Sequence, residues 1–266
     1  MQEASVLLSE ESLALFERCP LAYYYEHVEH RSLNPDAAHR VEMEVAAHEA
    51  AAAVLRAGMA PDSPQVRTMI EEIMARHELT VEETQTMLLR VIWAVRYALS
   101  RKGGFRWIGE EHLLERIPGA TVRANFDVAV IGGKVAPIEI IHWVFGGQRL
   151  ETSDELKYSV GAAINRLVAS ALEPDTGMRP IAVTEVHVPS GTAVTAVPDD
   201  PQLIGAYLWI EDQAQMIHEC EEKHAFTGRP GSQCAACEYA GNCQTCPACN
   251  FRYTCRNAAA KLEMAV

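Results

Sequence analysis

Long apolar runs, a basic leader and a nucleotide-binding loop are all missing from this sequence. No stretch approaches the ~18 uninterrupted apolar residues of a membrane span. The start, MQEASVLLSEESLALFERCP, has neither the basic region nor the small-residue cleavage site of a secretory signal. We therefore expect a cytoplasmic protein with no membrane partner. The absence of a G-x-x-x-x-G-K-[ST] phosphate loop argues against an ATP-driven motor in this chain.

Positive charge is also scarce. The chain has 23 Lys and Arg against 36 Asp and Glu, which gives a net charge of −13. Phosphate contacts need clustered basic residues, so this balance argues against nonspecific coating of nucleic acid and favours a scaffold that docks a protein. One local exception is RYALSRKGGFRW, residues 96–107, where four basic and several aromatic side chains suggest a strand-binding groove.

The hydrophobic periodicity predicts an α/β fold with a mainly helical start. The predicted helices cover residues 9–28 with a break at Cys19-Pro20, 40–58 ending at Gly58, 66–76, and 81–100 with a capping box of Thr80 and Glu83. We expect one domain over residues 1–229, whose helical part reaches about residue 105. A cysteine-rich metal module over residues 230–266 would follow it.

The period changes between residues 108 and 144, where β-branched runs are separated by turn residues. Pro118-Gly119, Gly132-Gly133 and Gly146-Gly147 are typical of hairpin connections, so this region predicts three meandering antiparallel strands. Downstream, the pattern predicts a helix over 153–172, a strand over 178–188 and a long amphipathic helix over 201–224.

Six of the eight cysteines lie between residues 234 and 255, in two copies of C-x2-C-x5-C. The first copy is Cys234, Cys237 and Cys243, and the second is Cys246, Cys249 and Cys255. In a reducing compartment such clusters are more often metal ligands than disulfides. A 4Fe-4S cluster or a structural zinc asks for four ligands, so Cys19 and Cys220 are candidates for the missing one. A zinc knuckle of Cys234, Cys237, Cys246 and Cys249 is an alternative.

The setting of Cys19, FERCPLAYYY, combined with C-x2-C-x5-C near the other end, resembles the iron-sulfur RecB-like PD-(D/E)XK nucleases. That family includes the CRISPR-associated RecB-like exonucleases and the nuclease domains of AddB-type helicase-nucleases. The resemblance implies a PD-(D/E)XK core whose chain ends are joined by a 4Fe-4S cluster. It also makes Cys19 the partner of a tail triplet.

The resemblance favours the first triplet, because Arg229-Pro230-Gly231 precedes it as in the family. The implied ligands are Cys19, Cys234, Cys237 and Cys243. The second triplet fits nearly as well. Cys220, Cys246, Cys249 and Cys255 are candidates for a second metal, either zinc or iron-sulfur.

The resemblance also implies a Mg²⁺ or Mn²⁺ site made of an Asp on the second strand, E-x-K on the third and a helical His. Asp127, Glu139 and His48 match these three positions. The alternation of side chains along the third strand points Glu139 and residue 141 to one face. His142 points to the other face, and we assign it to structure.

Two departures from the family pattern bear on activity. Ile141 replaces the lysine of E-x-K, and Asp154 stands where the family's Q-x-x-x-Y helix has glutamine, although Tyr158 is retained. Isoleucine can neither orient water nor offset developing charge. Lys157 is a candidate substitute, and the alternative for it is a solvated helix lysine.

These observations predict an impaired or inactive nuclease that retains DNA or protein binding, with the DNA single-stranded or at ends. By resemblance it would serve with a protein partner in CRISPR adaptation, recombination or mobile-element processing. An active metal-dependent nuclease is the close rival, and a scaffold with a metal module is the third hypothesis.

Overall fold

The computed structural model describes residues 5–33, 35–132, 137–146, 151–172 and 180–229, together with residues 231, 234, 237–239 and 243. The helices in this part of the chain are α1 (Glu10–Arg18), α2 (Pro20–Tyr23), α3 (Pro35–Ala57), α4 (Pro64–Arg76), α5 (Val81–Ser100), α6 (Ser153–Lys157), α7 (Val160–Leu172) and α8 (Asp200–Glu222). A π-helical turn, Tyr24–Val28, follows α2. The strands are β1 (Val6–Leu8), β2 (Gly104–Ile117), β3 (Ala120–Ile131), β4 (Ile138–Val144), β5 (Ile181–His187) and β6 (Thr192–Ala196).

The helix ends follow the local signals in the sequence. Pro20 starts α2 directly after α1, because proline has no N–H to continue the preceding helix. The predicted capping box at the start of α5 is present, with Glu83 N donating to Thr80 Oγ1. Gly58 ends α3 with φ +62°, a conformation that glycine adopts without strain.

The sheet forks at the middle of β3. Its path is β1-β3-β4-β5-β6, and β2 pairs with β3 along nearly its whole length. A strand has two edges, so β1 and β4 must share the edge that β2 leaves open. β1 pairs in parallel with residues 120–122 and β4 antiparallel with residues 128–131. Residues 123–127 of β3 therefore lie in a fork between the two strands.

Helices cover both faces of this sheet. Buried residues of α1, α2, α7 and α8 pack with Ala129, Ile138 and Ile140 on one face. Those of α3, α4 and α5 pack with Val128 and Ile141 on the other. The predicted α/β class and the three-strand antiparallel meander are confirmed. None of the helices in the described ranges combines the length and apolar character that a membrane span requires.

Two features differ from the sequence-based expectation, and a third expectation is not tested. The helix expected over 153–172 is divided into α6 and α7, because Ser159 caps a new helix by accepting a hydrogen bond from Ala162 N at 3.1 Å. β1 and β6 were not predicted, since strands of three and five residues carry too little periodic signal. Most of the expected module over 230–266, including Cys246, Cys249 and Cys255, lies outside the described residues.

Candidate functional site

Asp127 occupies the fork of the sheet. The next pair along the ladder is Val128 with Ile141, so the antiparallel register places Asp127 opposite His142. Trp143 N donates a hydrogen bond of 2.8 Å to Asp127 Oδ2. The carboxylate thus takes the place of a backbone acceptor just beyond the last β3–β4 pair, which fixes its position.

The alternation of side chains between the two faces of β3 is interrupted at Asp127. Phe126 and Ala129 both pack on the α1, α7 and α8 face although they are three residues apart, where regular alternation would separate them. Gly109, which lies across from Asp127 on β2, has φ +57°. A side chain there would also meet α3, because a Cβ at Gly109 would lie 2.6 Å from Ala52 Cβ. The glycine therefore lets α3 approach the sheet beside Asp127.

The approach of α3 brings His48 to the carboxylate. His48 Nδ1 lies 2.6 Å from Asp127 Oδ1, and His142 Nδ1 lies 3.1 Å from Oδ2. The rings of Phe145 and His48 pack edge to face, with centroids 5.0 Å apart. His142, which was assigned to structure from its strand face, is thus part of the same cluster as Asp127.

The two histidines set the ionisation of this cluster. Burial disfavours the charged carboxylate, but the positive charge and hydrogen bonds of His48 and His142 outweigh it and hold the pKa of Asp127 well below its usual range. Burial likewise disfavours the imidazolium of His142. Its hydrogen bond with Asp127 prevails and raises the pKa of His142 to about 9. At neutral pH the pair is therefore ionic.

Glu139 makes a separate set of contacts. Arg101 Nε donates to its Oε2 at 2.8 Å, and Thr184 Oγ1 donates to its Oε1 at 2.7 Å. The structure joins two of the three expected metal ligands, His48 and Asp127, and engages the third in a salt bridge. No three His, Cys, Asp or Glu side chains within the described ranges are arranged to hold a metal ion.

The candidate cations lie away from Asp127. Ile141, at the position of the family lysine, is fully buried against α3–α5. Lys157 ends α6, and Asp127 is not among the residues that line the groove beside it. It lines a groove of about 680 Å³ with the 73% exposed Tyr158 and with Trp209. In the basic stretch 96–107, Arg101 is already paired.

A second polar region that sequence reasoning missed adjoins His142. A cavity of about 140 Å³ is lined by Glu10, His142, Glu151, Asn165 and Glu185, among others. Glu10 arrives because β1 ends at Leu8 and α1 begins directly at the fork. β5 supplies Glu185, which pairs with His142 in the parallel ladder. The strand order brings these residues together, and no local sequence motif predicts that they meet.

The described cysteines of the tail lie beside the first helices. Arg229 N donates to Cys19 Sγ at 3.5 Å, and Cys234 Sγ donates to Arg229 O at 3.9 Å. Burial raises the pKa of the Cys237 thiol, and the nearby charges of Glu238 and Cys19 raise it further.

Contacts outside the thiols hold the tail in this position. Tyr239 OH donates to Glu26 at 2.9 Å, and Arg18 pairs with Glu238 at 3.1 Å. Cys243 packs against the same core cluster as Cys237. The thiols of Cys19, Cys234, Cys237 and Cys243 are donors of the kind that a 4Fe-4S cluster requires. These described side chains are not arranged around one metal-binding point. Cys220 is half-buried on α8, and its pKa is raised by burial.

Residues 7–244 match the family described as the PD-(D/E)XK nuclease superfamily. A comparison with curated proteins gave no match. Among the solved structures that match is a protein from Eubacterium rectale described as "Putative exonuclease". It is 11% identical, has a TM-score of 0.53, and the alignment covers 90% of this chain and 88% of that one. At this identity the similarity shows the fold alone.

Proposed function

Because the chain belongs to the PD-(D/E)XK nuclease superfamily, we propose that it binds DNA at the sheet fork and has lost most of the hydrolytic power of the fold. The observation that carries this proposal is the engagement of Glu139 by Arg101 and Thr184. Hydrolysis of a phosphodiester needs a metal ion on hard oxygen ligands and a positive charge beside the attacked phosphate. Here one carboxylate is diverted and the lysine position is a buried isoleucine.

Asp127 and His48 are the remaining candidates for a metal site. They fit Mg²⁺ or Mn²⁺ only in part, since they offer one carboxylate and one imidazole within 2.6 Å of each other. A bound ion would polarise a phosphate oxygen and draw the DNA backbone to the fork. His142, held on the second oxygen of Asp127, would supply a positive charge there.

We also propose that Cys19, Cys234, Cys237 and Cys243 bind a 4Fe-4S cluster. The support is the approach of Cys19 and Cys234 to the backbone of Arg229, together with the packing of Cys237 and Cys243 on the adjoining core. Anaerobic purification with iron, sulfide and zinc quantified tests this. We expect about four irons per chain, and loss of iron in Cys19→Ser. Zinc in place of iron would contradict the cluster. A second metal on Cys220, Cys246, Cys249 and Cys255 would appear as zinc or iron in excess of the metal of one cluster.

An active nuclease is the second candidate, and the position of Lys157 in a groove with the exposed Tyr158 favours it. In that case Lys157→Ala would reduce Mn²⁺-dependent cleavage while leaving DNA affinity nearly unchanged. In the proposal that we favour, Lys157→Ala alters neither. The finer assignment to CRISPR adaptation, recombination or mobile-element processing, with a protein partner, rests on the resemblance of the cysteine pattern.

DNA binding is the direct test of the proposed function. The assay is fluorescence anisotropy with single-stranded and blunt duplex DNA at salt concentrations between ~50 and ~200 mM. Binding should weaken as the salt concentration rises, because phosphate contacts release counterions. Asp127→Asn should weaken the Mg²⁺-dependent part, and Glu71→Gln on the distant α4 should not. Absence of binding at low salt would favour the scaffold hypothesis.

A further inference from the structure

The groove of about 680 Å³ lies between the junction of α6 with α7 and the first turns of α8. Its floor is apolar, and Val160 and Trp209 in that floor pack against the core cluster behind it. The other apolar lining residues include Ala163, Pro198, Pro201 and Ala206. Pockets that bind ligands commonly measure ~300 to ~1,000 Å³ and are largely preformed, so this groove has the size of a binding site.

Large apolar side chains are exposed around this groove. Tyr158, which lines it, is 73% exposed. On α8, Ile204 and Leu208 each directly precede a lining residue, and they are 61% and 57% exposed. Val197, next to the lining residue Pro198, is also exposed. Single exposed apolar side chains are ordinary, but several around one concave surface are typical of an interaction site.

The charge around the groove selects its occupant. Glu17 lines both the groove and an adjoining cavity of about 640 Å³, and the two share residues 158–160. Asp199 lines the groove and Asp154 lines the adjoining cavity, and all three acidic residues are exposed. Lys157 is the only cation among the described lining residues of the two cavities. A rim of this charge repels nucleic-acid phosphates and a second copy of this acidic chain, and it attracts lysine and arginine.

We propose that this groove binds a segment of a partner protein in which apolar anchor residues are flanked by lysine or arginine. The anchors enter beside Tyr158 and Trp209, and the basic side chains pair with Glu17 and Asp154. Apolar and aromatic anchors carry most of the energy of such interfaces, whereas the charges set the choice of partner. None of the described lining residues of the groove belongs to the Asp127 cluster. The surface therefore does not depend on DNA binding at the fork.

Gly205→Leu fills the groove from the protein's own side. A Cβ at Gly205 would meet no atom within 4 Å apart from its chain neighbours and the backbone of its own helix. Leucine also favours a helix over glycine, so the variant should be at least as stable as the wild type. The probe is a fluorescein-labelled synthetic peptide of leucines and lysines, titrated into the full chain and followed by anisotropy. Gly205→Leu and Tyr158→Ala should each weaken binding about tenfold, and Gln215→Leu, which adds a leucine to α8 outside the groove, should not.

The charge of the rim is tested separately. The double variant Glu17→Gln/Asp154→Asn should weaken binding of the same peptide by about 2- to 10-fold at low salt, as expected for exposed ion pairs. Glu71→Gln, on the exposed face of α4, is the control and should leave the affinity unchanged. A second peptide with glutamate in place of each lysine should not bind.

Three results would overturn the proposal. The first is that the lysine peptide does not bind the wild type, or binds Gly205→Leu equally well, which would show only general attraction to an acidic protein. The second is self-association of the wild type in sedimentation that Gly205→Leu abolishes, which would assign the groove to a second copy. The third is displacement of the peptide by single-stranded DNA. Failure of DNA binding alone would count against the proposed function and leave this surface standing.

Discussion

Replacing Arg101 by leucine separates a structural role of Glu139 from a metal-binding role. The Glu139 side chain is 11% exposed and that of Arg101 is 39% exposed, and 2.8 Å separates their charged atoms. Breaking a fully buried pair costs about 3–5 kcal/mol. Solvent screens part of this interaction on the arginine side, so we expect Arg101→Leu to lower the free energy of unfolding by about 1–3 kcal/mol.

Urea unfolding followed by far-ultraviolet circular dichroism measures this change. The double variant Arg101→Leu/Glu139→Leu should recover much of the loss, because it leaves no uncompensated charge in the protein interior. Arg96→Leu is the matched control, since Arg96 pairs with Asp62 on the surface, with exposed fractions of 56% and 66%. If Arg101→Leu is as mild as Arg96→Leu, Glu139 is not held by this pair and the argument for a diverted carboxylate fails.

Three further predictions concern other parts of the molecule. The hydrogen bonds of Glu49 and Glu42 raise the pKa of His77 above its usual 6.5. The stability that His77 contributes is therefore fully present below pH 6.5 and is lost as the pH rises through the higher pKa of the folded state. Unfolding measurements across this pH range should show the loss in the wild type and not in His77→Gln. Gly109→Ala should destabilise the fold by about 1–2 kcal/mol, because of its positive φ and the contact with α3, and thermal unfolding would show it. Tyr158→Ala removes an exposed ring from the groove that Lys157 also lines. It should leave stability unchanged, and, because the favoured proposal places DNA at the fork, it should also leave single-stranded DNA affinity unchanged, as titration by anisotropy would report.

The helical half of the fold was readable from the sequence because its signals are local. The capping box at Thr80, the break at Pro20 and the end of α3 at Gly58 each depend on residues within one turn. The division between α6 and α7 escaped prediction, since a single serine cap interrupts a continuous apolar pattern.

Only part of the candidate site could be predicted from the sequence, because the residues that meet there depend on the strand register. A two-residue turn at Gly132-Gly133 would place Asp127 opposite Ile138, next to Glu139. The observed pairing of Val130 with Glu139 shifts the register by four residues instead. That shift puts His142 opposite Asp127. A pattern of glycines predicts that a hairpin exists, but it does not fix the length of its loop.

Contacts between distant segments explain the remaining differences. Glu10, Asn165 and Glu185 come from α1, α7 and β5, and only the strand order and the fork bring them to one cavity. The approach of Cys19 to the tail is likewise a long-range contact. It was expected from family resemblance, and no periodic pattern in the chain encodes it.

Cleavage of end-labelled single-stranded DNA in the presence of Mn²⁺ tests the central claim most directly, with the wild type and Asp127→Asn compared at equal concentration. We expect both proteins to bind the DNA and neither to cleave it faster than the background rate. Rapid cleavage by the wild type that disappears in Asp127→Asn would show that the fork is a working catalytic centre, and would contradict the account.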